Sequence, residues 1–487
     1  MPDKRTNQAQ LSRRRVLTTL AAGLLALPAS GLLAACANNA PSTAATATTQ
    51  NSPSPAATRS TAATTTSSQA ATPSTAAKPS AQAAAKLSPA KLTFICWGNQ
   101  TVIKIMQQAA NDFQKAHPTV SASYTNTPTG SSYYSKLDTM LAGGDAPSAF
   151  YIEPPLMPAY ASRNALGALD SYVKGDKYNI GDFYPKAIDQ YYWQGKLYEL
   201  PRGFGNQDIY WNEDLFQKAG VAAPGFQWDD PKWTVDQFLA TAEKLTVRNG
   251  NQVTQFGYSQ GLALRQWEPW VWTFGGEVVD ATKNVCVLDQ EPAVQGLQFL
   301  GDLINKYKVM PTPEYTQQAS NSVLFTTNRV AMNMDIPASL INYRTLKTIK
   351  WDVAAMPKKV KAVTSGGGVA WAMYGKSSTV DDNWQLLAWL AGPTVQKAEC
   401  EASATAPARK SIANSPAYIN PNLPPKHMQV FVDAPNFVHL DPQAIAWPQI
   451  QNLLDKELGL IWDGSRTAQD VVKELVPQVN TLLLKKS

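Results

Sequence analysis

Short apolar runs alternate with helical apolar periods along most of this chain. Lys91-Leu-Thr-Phe-Ile-Cys96 is a strand-like run that Trp97-Gly98-Asn99 ends. Val102, Met106, Ala109 and Phe113 then recur at helical spacing, up to the stop at His117-Pro118. Val120 to Tyr124 predicts a second strand, and Ala149-Phe-Tyr-Ile-Glu153 a third. Between them Tyr134, Leu137 and Leu141 line a helix that Gly143-Gly144 closes. Asp208 to Asn212, Arg329 to Met334, Trp351 to Pro357 and Gly367 to Met373 are further strand-like runs. Thr234 and Gln237 have the spacing of a capping box before the apolar face Phe238, Ala242, Leu245. Val294, Leu297, Leu300 and Ile304 mark another amphipathic helix, Trp384, Leu387 and Leu390 one more, and Val471, Leu475 and Val479 a late one. Strand–helix alternation of this kind predicts an α/β fold built on largely parallel, doubly wound sheet. No tandem repeat is visible.

The start of the chain has a different pattern. Arg13, Arg14 and Arg15 precede a run of small and apolar residues, Val16 to Ala35, that Pro28 and Gly31 interrupt. That is the build of an export signal over residues 1–35 and not of a stable spanning helix. Leu33-Ala34-Ala35-Cys36 resembles a bacterial lipobox, which implies that Cys36 is acylated and becomes the new N-terminus. Two acyl chains would hold the protein to the extracytoplasmic face of the cell membrane. A plain secretory signal with a chance Cys, or an uncleaved anchor, fits the same residues. Ser12 to Leu17 also resembles a twin-arginine motif, with Val16 where that motif usually has Phe, so the export route is Sec or twin-arginine. Residues 36–88 are almost all Ala, Thr, Ser, Pro, Asn and Gln after the Cys, too polar and small to fold. They read as a disordered tether spanning roughly 40 Å.

Composition narrows the function classes. The chain has 487 residues, 44% hydrophobic and 16% charged, a globular balance. Its formal charge of +6 misleads: five of 43 basic and one of 37 acidic side chains precede Cys36, leaving +2. That is no footprint for nucleic acid. Cys96, Cys286 and Cys400 remain, compatible with one disulfide and a free thiol or with three buried thiols; whether Cys286 pairs with Cys400 stays open. The three His are scattered and there is no CxxC, so no metal or other cofactor is expected. No G-x-S-x-G, H-E-x-x-H or P-loop is present. A glycoside hydrolase needs two carboxylates at a set separation, and Glu153, Glu268 and Asp335 could be imagined so, but no motif singles out a pair. An enzyme is therefore not expected.

Several segments, in order, carry a resemblance. They are Gly195 to Pro201, Tyr210 to Phe216, Trp233 to Phe238, Phe274 to Gly276, Phe325 to Met334, Trp351 to Pro357, Gly366 to Met373 and Pro407 to Lys410. The chain resembles the extracellular solute-binding proteins of bacterial ABC importers, of the carbohydrate-binding, maltose-binding type. The resemblance implies a two-lobed periplasmic-binding-protein-like fold (type II), with the ligand cleft between the lobes. Residues 89–205 plus 337–392 would form the N-terminal lobe, and 206–336 plus 393–487 the C-terminal lobe. It implies a monomer that closes on a mono- or oligosaccharide and delivers it to the permease subunits unchanged. Non-sugar ligands such as a glycerophosphodiester or a polyamine remain alternatives.

A sugar needs aromatic faces for its C–H patches and planar polar groups for its hydroxyls. With 14 Trp and 18 Tyr the chain is well supplied. The densest cluster runs Trp267-Glu-Pro-Trp270-Val-Trp272, and the resemblance turns this region to the cleft, so Trp267 and Trp270 are expected as platforms; the alternative is that they fill core. Trp97 and Asn99 lie where a strand meets a helix start. Glu153 ends a strand and is expected to accept sugar hydroxyls, or to pair with a cleft-facing Arg202. Asp335 is expected at a return crossing of the hinge. Gly367 and Gly368, before Trp371, allow backbone to approach a ligand or make a tight turn. Arg409 lies in a segment that lines the cleft in the family. Arg202 stands where many relatives have an acidic residue, which is compatible with an acidic sugar or with rearranged hydrogen bonds.

Overall fold

The computed structural model describes Leu87, residues 89–128 and residues 131–485. The signal peptide, Cys36 and nearly all of the tether expected from the sequence lie outside the described residues. Among the described residues no helix is long and apolar enough to cross a membrane.

The first apolar run becomes the strand Ala90–Cys96, with Leu92, Phe94, Ile95 and Cys96 buried. It pairs in parallel with Val120–Asn126 on one side and Ala149–Ile152 on the other. The helix Gln100–Ala116 crosses between the first two and buries Val102, Met106, Ala109, Ala110 and Phe113. These are the positions its period predicts, plus one. The sheet is completed by Ala370–Met373 and then Glu199–Pro201, both antiparallel to their neighbours. A second sheet has the order Trp351–Ala354, Asp208–Asn212, Val330–Asp335, Gln252–Ser259, Val247–Asn249. Only its Gln252–Ser259 to Val330–Asp335 pairing is parallel. The sheets are therefore more mixed than alternation alone predicts, because the chain returns to each from the other side.

Between the two lies a short three-stranded sheet, Val438–His439, Thr364–Gly367 and Gly205–Asn206. The chain passes through it when it leaves Pro201 for Asp208, and again between Ala354 and Ala370. This corrects two expectations. Trp351–Ala354 belongs to the second sheet, not to the first lobe, since it pairs with Asp208–Asn212 and Trp351 packs on Tyr210 and Tyr343. Asp335 is accordingly not at a crossing; the chain after it forms the Leu340–Tyr343 turn of helix and re-enters the same sheet. An apolar run shows that a strand exists, but not which sheet it joins.

The helix Pro393–Glu401 packs on Gln100–Ala116 and Val380–Leu390, so the chain stays with the first sheet past residue 392. Trp447–Trp462 and Ala468–Leu483 pack on Glu291–Asn305 beside the second sheet. Thr234 caps its helix as expected, its Oγ1 accepting from Gln237 N at 3.2 Å. Cys96, Cys286 and Cys400 are free and buried. Burial pushes the Cys96 thiol up to about 12, so it is inert at neutral pH.

Candidate functional site

Five strands deliver the residues of one cavity. Cys96 is followed by Trp97, Ile152 by Glu153 and Pro201 by Arg202 in the first sheet; Ser259 leads to Ala263–Gln266 and Asp335 to Ile336–Ala338 in the second. All of these lie at carboxyl ends of strands, where open α/β sheets leave a crevice. The floor comes from the linking sheet and its flanks: Gly203, Gly205, Asn206, Gln207 and Ser365 to Val369. The cavity has a volume of about 480 Å³, within the range that holds a small polar ligand.

Trp97 is the aromatic side chain of that wall. It is half-buried and held edge-on by Tyr133 at 4.7 Å and Tyr151 at 5.3 Å between ring centroids. Glu153 is exposed in the cavity and accepts from the Tyr134 hydroxyl at 3.2 Å. Two guanidiniums line the cleft, and each already has a carboxylate. Arg202 holds Glu399 with Nε at 2.7 Å and Nη2 at 2.6 Å from Oε1, and its Cζ lies 5.2 Å from the Tyr151 ring centroid. Burial opposes charge on Arg202, but Glu399 together with Tyr151 and Cys96 outweighs it and holds the guanidinium well above its ordinary pKa. Arg202 thus pairs with Glu399 and not with Glu153. Arg265 donates from Nε to Asp441 Oδ2 at 3.1 Å. Burial again opposes its charge, and Asp441, with Glu153 and Glu268 further off, raises it.

Arg265 is placed by an unusual chain of causes. It opens the helix Leu264–Thr273, which contains Pro269. Proline has no N–H to give the carbonyl four residues back. That carbonyl belongs to Arg265, and the Ser365 hydroxyl donates to it instead. The helix start is thereby tied to the linking sheet. The guanidinium then lies against Gly367: a Cβ there would come within 2.4 Å of Arg265 Nη1. A Cβ on Gly368 would come within 2.4 Å of the Gly203 carbonyl. The glycines expected to admit a ligand thus first admit an arginine and a neighbouring backbone.

Other expected site residues fall elsewhere. Trp267 and Trp270 are fully buried in the same helix, as are Trp272 and Glu268. Trp270 Nε1 donates to Gln260 Oε1 at 2.6 Å and its ring packs on Phe238 and Phe299. They are core and not platforms. Trp371 is likewise fully buried in the first sheet, against Phe94 and Tyr151. Arg409 is 3% exposed, bonded to Asp182, Tyr178 and backbone carbonyls, so it pins the chain to the first lobe. Asn99 caps the first helix, its Oδ1 accepting from Thr101 N and Val102 N. Asp335 accepts from Ile336 N, Ser339 Oγ and Tyr343 OH and organises the turn beneath Ile336–Ala338. Of the eleven residues expected at the ligand, Trp97, Glu153, Arg202, Gly367 and Gly368 line the cavity. Asn206, Gln207, Arg265 and Gln266 line it without having been expected. Gln207 is buried with no hydrogen-bond partner for its Oε1. A side-chain amide just after Arg202-Gly203-Phe204-Gly205 was the available signal.

Two α/β sheets, a linking sheet and a crevice at the strand ends define a binding protein of the two-lobed type. Residues 97–397 match the bacterial extracellular solute-binding protein family, more than half of the chain, and the protein belongs to that family. Over 327 residues it is 23% identical to the sn-glycerol-3-phosphate-binding periplasmic protein UgpB of Escherichia coli (strain K12), covering 63% of this chain and 73% of that one. Its fold is similar to that of the ABC substrate-binding protein Lmo0181 from Listeria monocytogenes, solved in complex with cycloalternan. The TM-score is 0.73 at 21% identity, over 82% of this chain and all (100%) of that one. It is also similar to the sugar-binding protein MalE from Xanthomonas citri, with a TM-score of 0.70 at 19% identity, over 81% and 97% of the two chains. At these identities the structural likeness is one of fold.

Proposed function

We propose that this protein is the lipid-anchored receptor of an ABC importer, capturing a neutral carbohydrate in the cleft and passing it to the permease unchanged. In this reading the two main sheets are the cores of two lobes, which close about the linking sheet. Cys36 carries the acyl chains, and the tether keeps the lobes near the membrane.

The observation that carries the ligand class is the charge balance of the wall. Arg202 and Arg265 are each matched by Glu399 and Asp441, which leaves Glu153 as the unmatched charge in the lining. A phosphate or an acidic sugar would meet no uncommitted cation there, and a polyamine would meet one acid. A neutral polyol fits: Trp97 offers a face, Gln207 and Gln266 Nε2 offer amide groups, while Asn206 Nδ2 is held by Asp208 and Gln266 Oε1 by Ala263 N, and Glu153 accepts hydroxyls. Kinship with UgpB favours a glycerol phosphate, and the paired guanidiniums weigh against it. Calorimetric titration with neutral mono- and oligosaccharides, beside glycerol 3-phosphate and spermidine, tests the reading. Binding of a neutral sugar is expected. Tighter binding of either charged ligand, or of none, would contradict it. Metabolic labelling with a fatty acid, lost in Cys36→Ser, tests the anchor.

A further inference from the structure

Gln207 joins the linking strand Gly205–Asn206 to Asp208–Asn212 of the second sheet, on the cavity floor. One hydroxyl holds its backbone on both sides. Gln207 N donates to Thr364 Oγ1 at 3.1 Å, and Thr364 Oγ1 donates to the Gln207 carbonyl at 2.7 Å. Thr364 is itself fully buried in the adjacent linking strand Thr364–Gly367. The side chain of Gln207 has no such hold. It is 6% exposed and lines the cavity, yet its Oε1 is buried without a partner. Among the described residues no protein group bonds its Nε2. The other two lining amides each have an end engaged: Asn206 Nδ2 donates to Asp208 at 2.6 Å, and Gln266 Oε1 accepts from Ala263 N at 3.1 Å.

An unpaired buried carboxamide is destabilising, and a methionine of similar shape would fill the space without that penalty. Packing therefore does not account for an amide at this position, whereas a hydrogen-bonding guest does. The amide oxygen accepts from one hydroxyl while the NH₂ donates to the next, the pattern that two adjacent ring hydroxyls offer. The last torsion of a glutamine is broad, so the amide plane can turn to meet them while the clamped backbone stays. A ligand lacking one of these hydroxyls would leave half of the amide unpaired again. Trp97, by contrast, offers a face to any ring with a C–H patch and so selects little. Resting on the carbohydrate reading above, we propose that Gln207 determines which sugar the cleft selects, by bonding an adjacent pair of ring hydroxyls through both ends of its carboxamide. Thr364 is the positioning residue that fixes it.

Calorimetric titration with the neutral hexoses and pentoses finds the sugar that binds, and its monodeoxy analogues then map the hydroxyls. For wild type, removal of either hydroxyl of one adjacent pair is expected to weaken binding about 10–100-fold. Gln207→Met is expected to bind the parent sugar more weakly by a similar factor, and to lose less than about threefold further when those two hydroxyls are removed. It should unfold in urea no more easily than wild type. A merely structural glutamine would do the reverse, with stability lowered and the deoxy pattern intact. Thr364→Val is expected to flatten the same pattern with Gln207 still present, and Thr364→Ser, which keeps the hydroxyl, to retain it. The same deoxy pattern in wild type and Gln207→Met would overturn the proposal, as would a Gln207→Met affinity equal to that of wild type. Persistence of the pattern in Thr364→Val would overturn the part given to Thr364. Failure of every neutral sugar to bind wild type would overturn the carbohydrate reading as well, so the two failures are told apart.

Discussion

The helix Leu264–Thr273 and the cleft wall at residues 202–207 and 365–369 touch each other but are built from opposite materials. The helix holds three tryptophans and a glutamate that are all fully buried. The wall holds five glycines and two amides, with Trp97 opposite. Sequence density of aromatics marks the first, and ligand-accessible surface is at the second. The reason is geometric. A helix that must sit on a sheet, and carry Glu291–Asn305 on its other side, turns its largest residues inward for packing area. A wall that must bring two lobes and a guanidinium within contact has no room for side chains.

The comparison can be broken by mutation on either side. Trp270→Ala should cost about 3–5 kcal/mol of stability by urea unfolding, since it opens a large void and removes one of the two donors to Gln260 Oε1. Ligand affinity of the folded remainder should hardly change. Gly368→Ala should cost about 1–3 kcal/mol, because its Cβ would lie 2.4 Å from the Gly203 carbonyl oxygen and the backbone at Gly203 and Phe204 would have to shift. It should weaken binding as well, which Trp270→Ala should not.

Trp97→Ala should reverse the Trp270 pattern, losing about 1–2 kcal/mol of binding free energy by calorimetry with little loss of stability. The smallest effect concerns Glu199, on the edge strand beside the wall. Both its oxygens are buried without a partner, and burial alone holds its carboxyl well above the usual 4.5. A folded pKa above the unfolded one means that its contribution is fully present below pH 4.5 and is lost as pH rises through the folded value. Glu199→Gln should therefore stabilise the protein at pH 8 and change its stability little at pH 4. Thermal melts at the two pH values check this, and an equal shift at both would contradict it.

What the sequence made legible follows the same division. Periods such as Val102, Met106, Ala109 and Phe113 report which face of a helix is buried, and that face is buried. The ends of strands near Cys96 and Ile152 were readable, and Trp97 and Glu153 after them line the cavity; Arg202 lines it too, but the strand Glu199–Pro201 before it was not read from the pattern. Partners distant along the chain were not. Nothing local in Arg202 announces Glu399, and nothing in Arg409 announces Asp182 and Tyr178. Arg265 was hidden beside the tryptophans, although Pro269 four residues later was the clue that its carbonyl needed an outside donor. The placement of Trp351–Ala354 was hidden for the same reason, since strand pairing is not a local property.

Hydrogen–deuterium exchange, with and without a bound neutral sugar, tests the central claim most directly. The account predicts new protection of amides in 202–207 and 365–369, with those of Leu264–Thr273 unchanged apart from its first turn. Protection confined to the tryptophan-bearing turns of that helix, with the glycine wall unaffected, would contradict it.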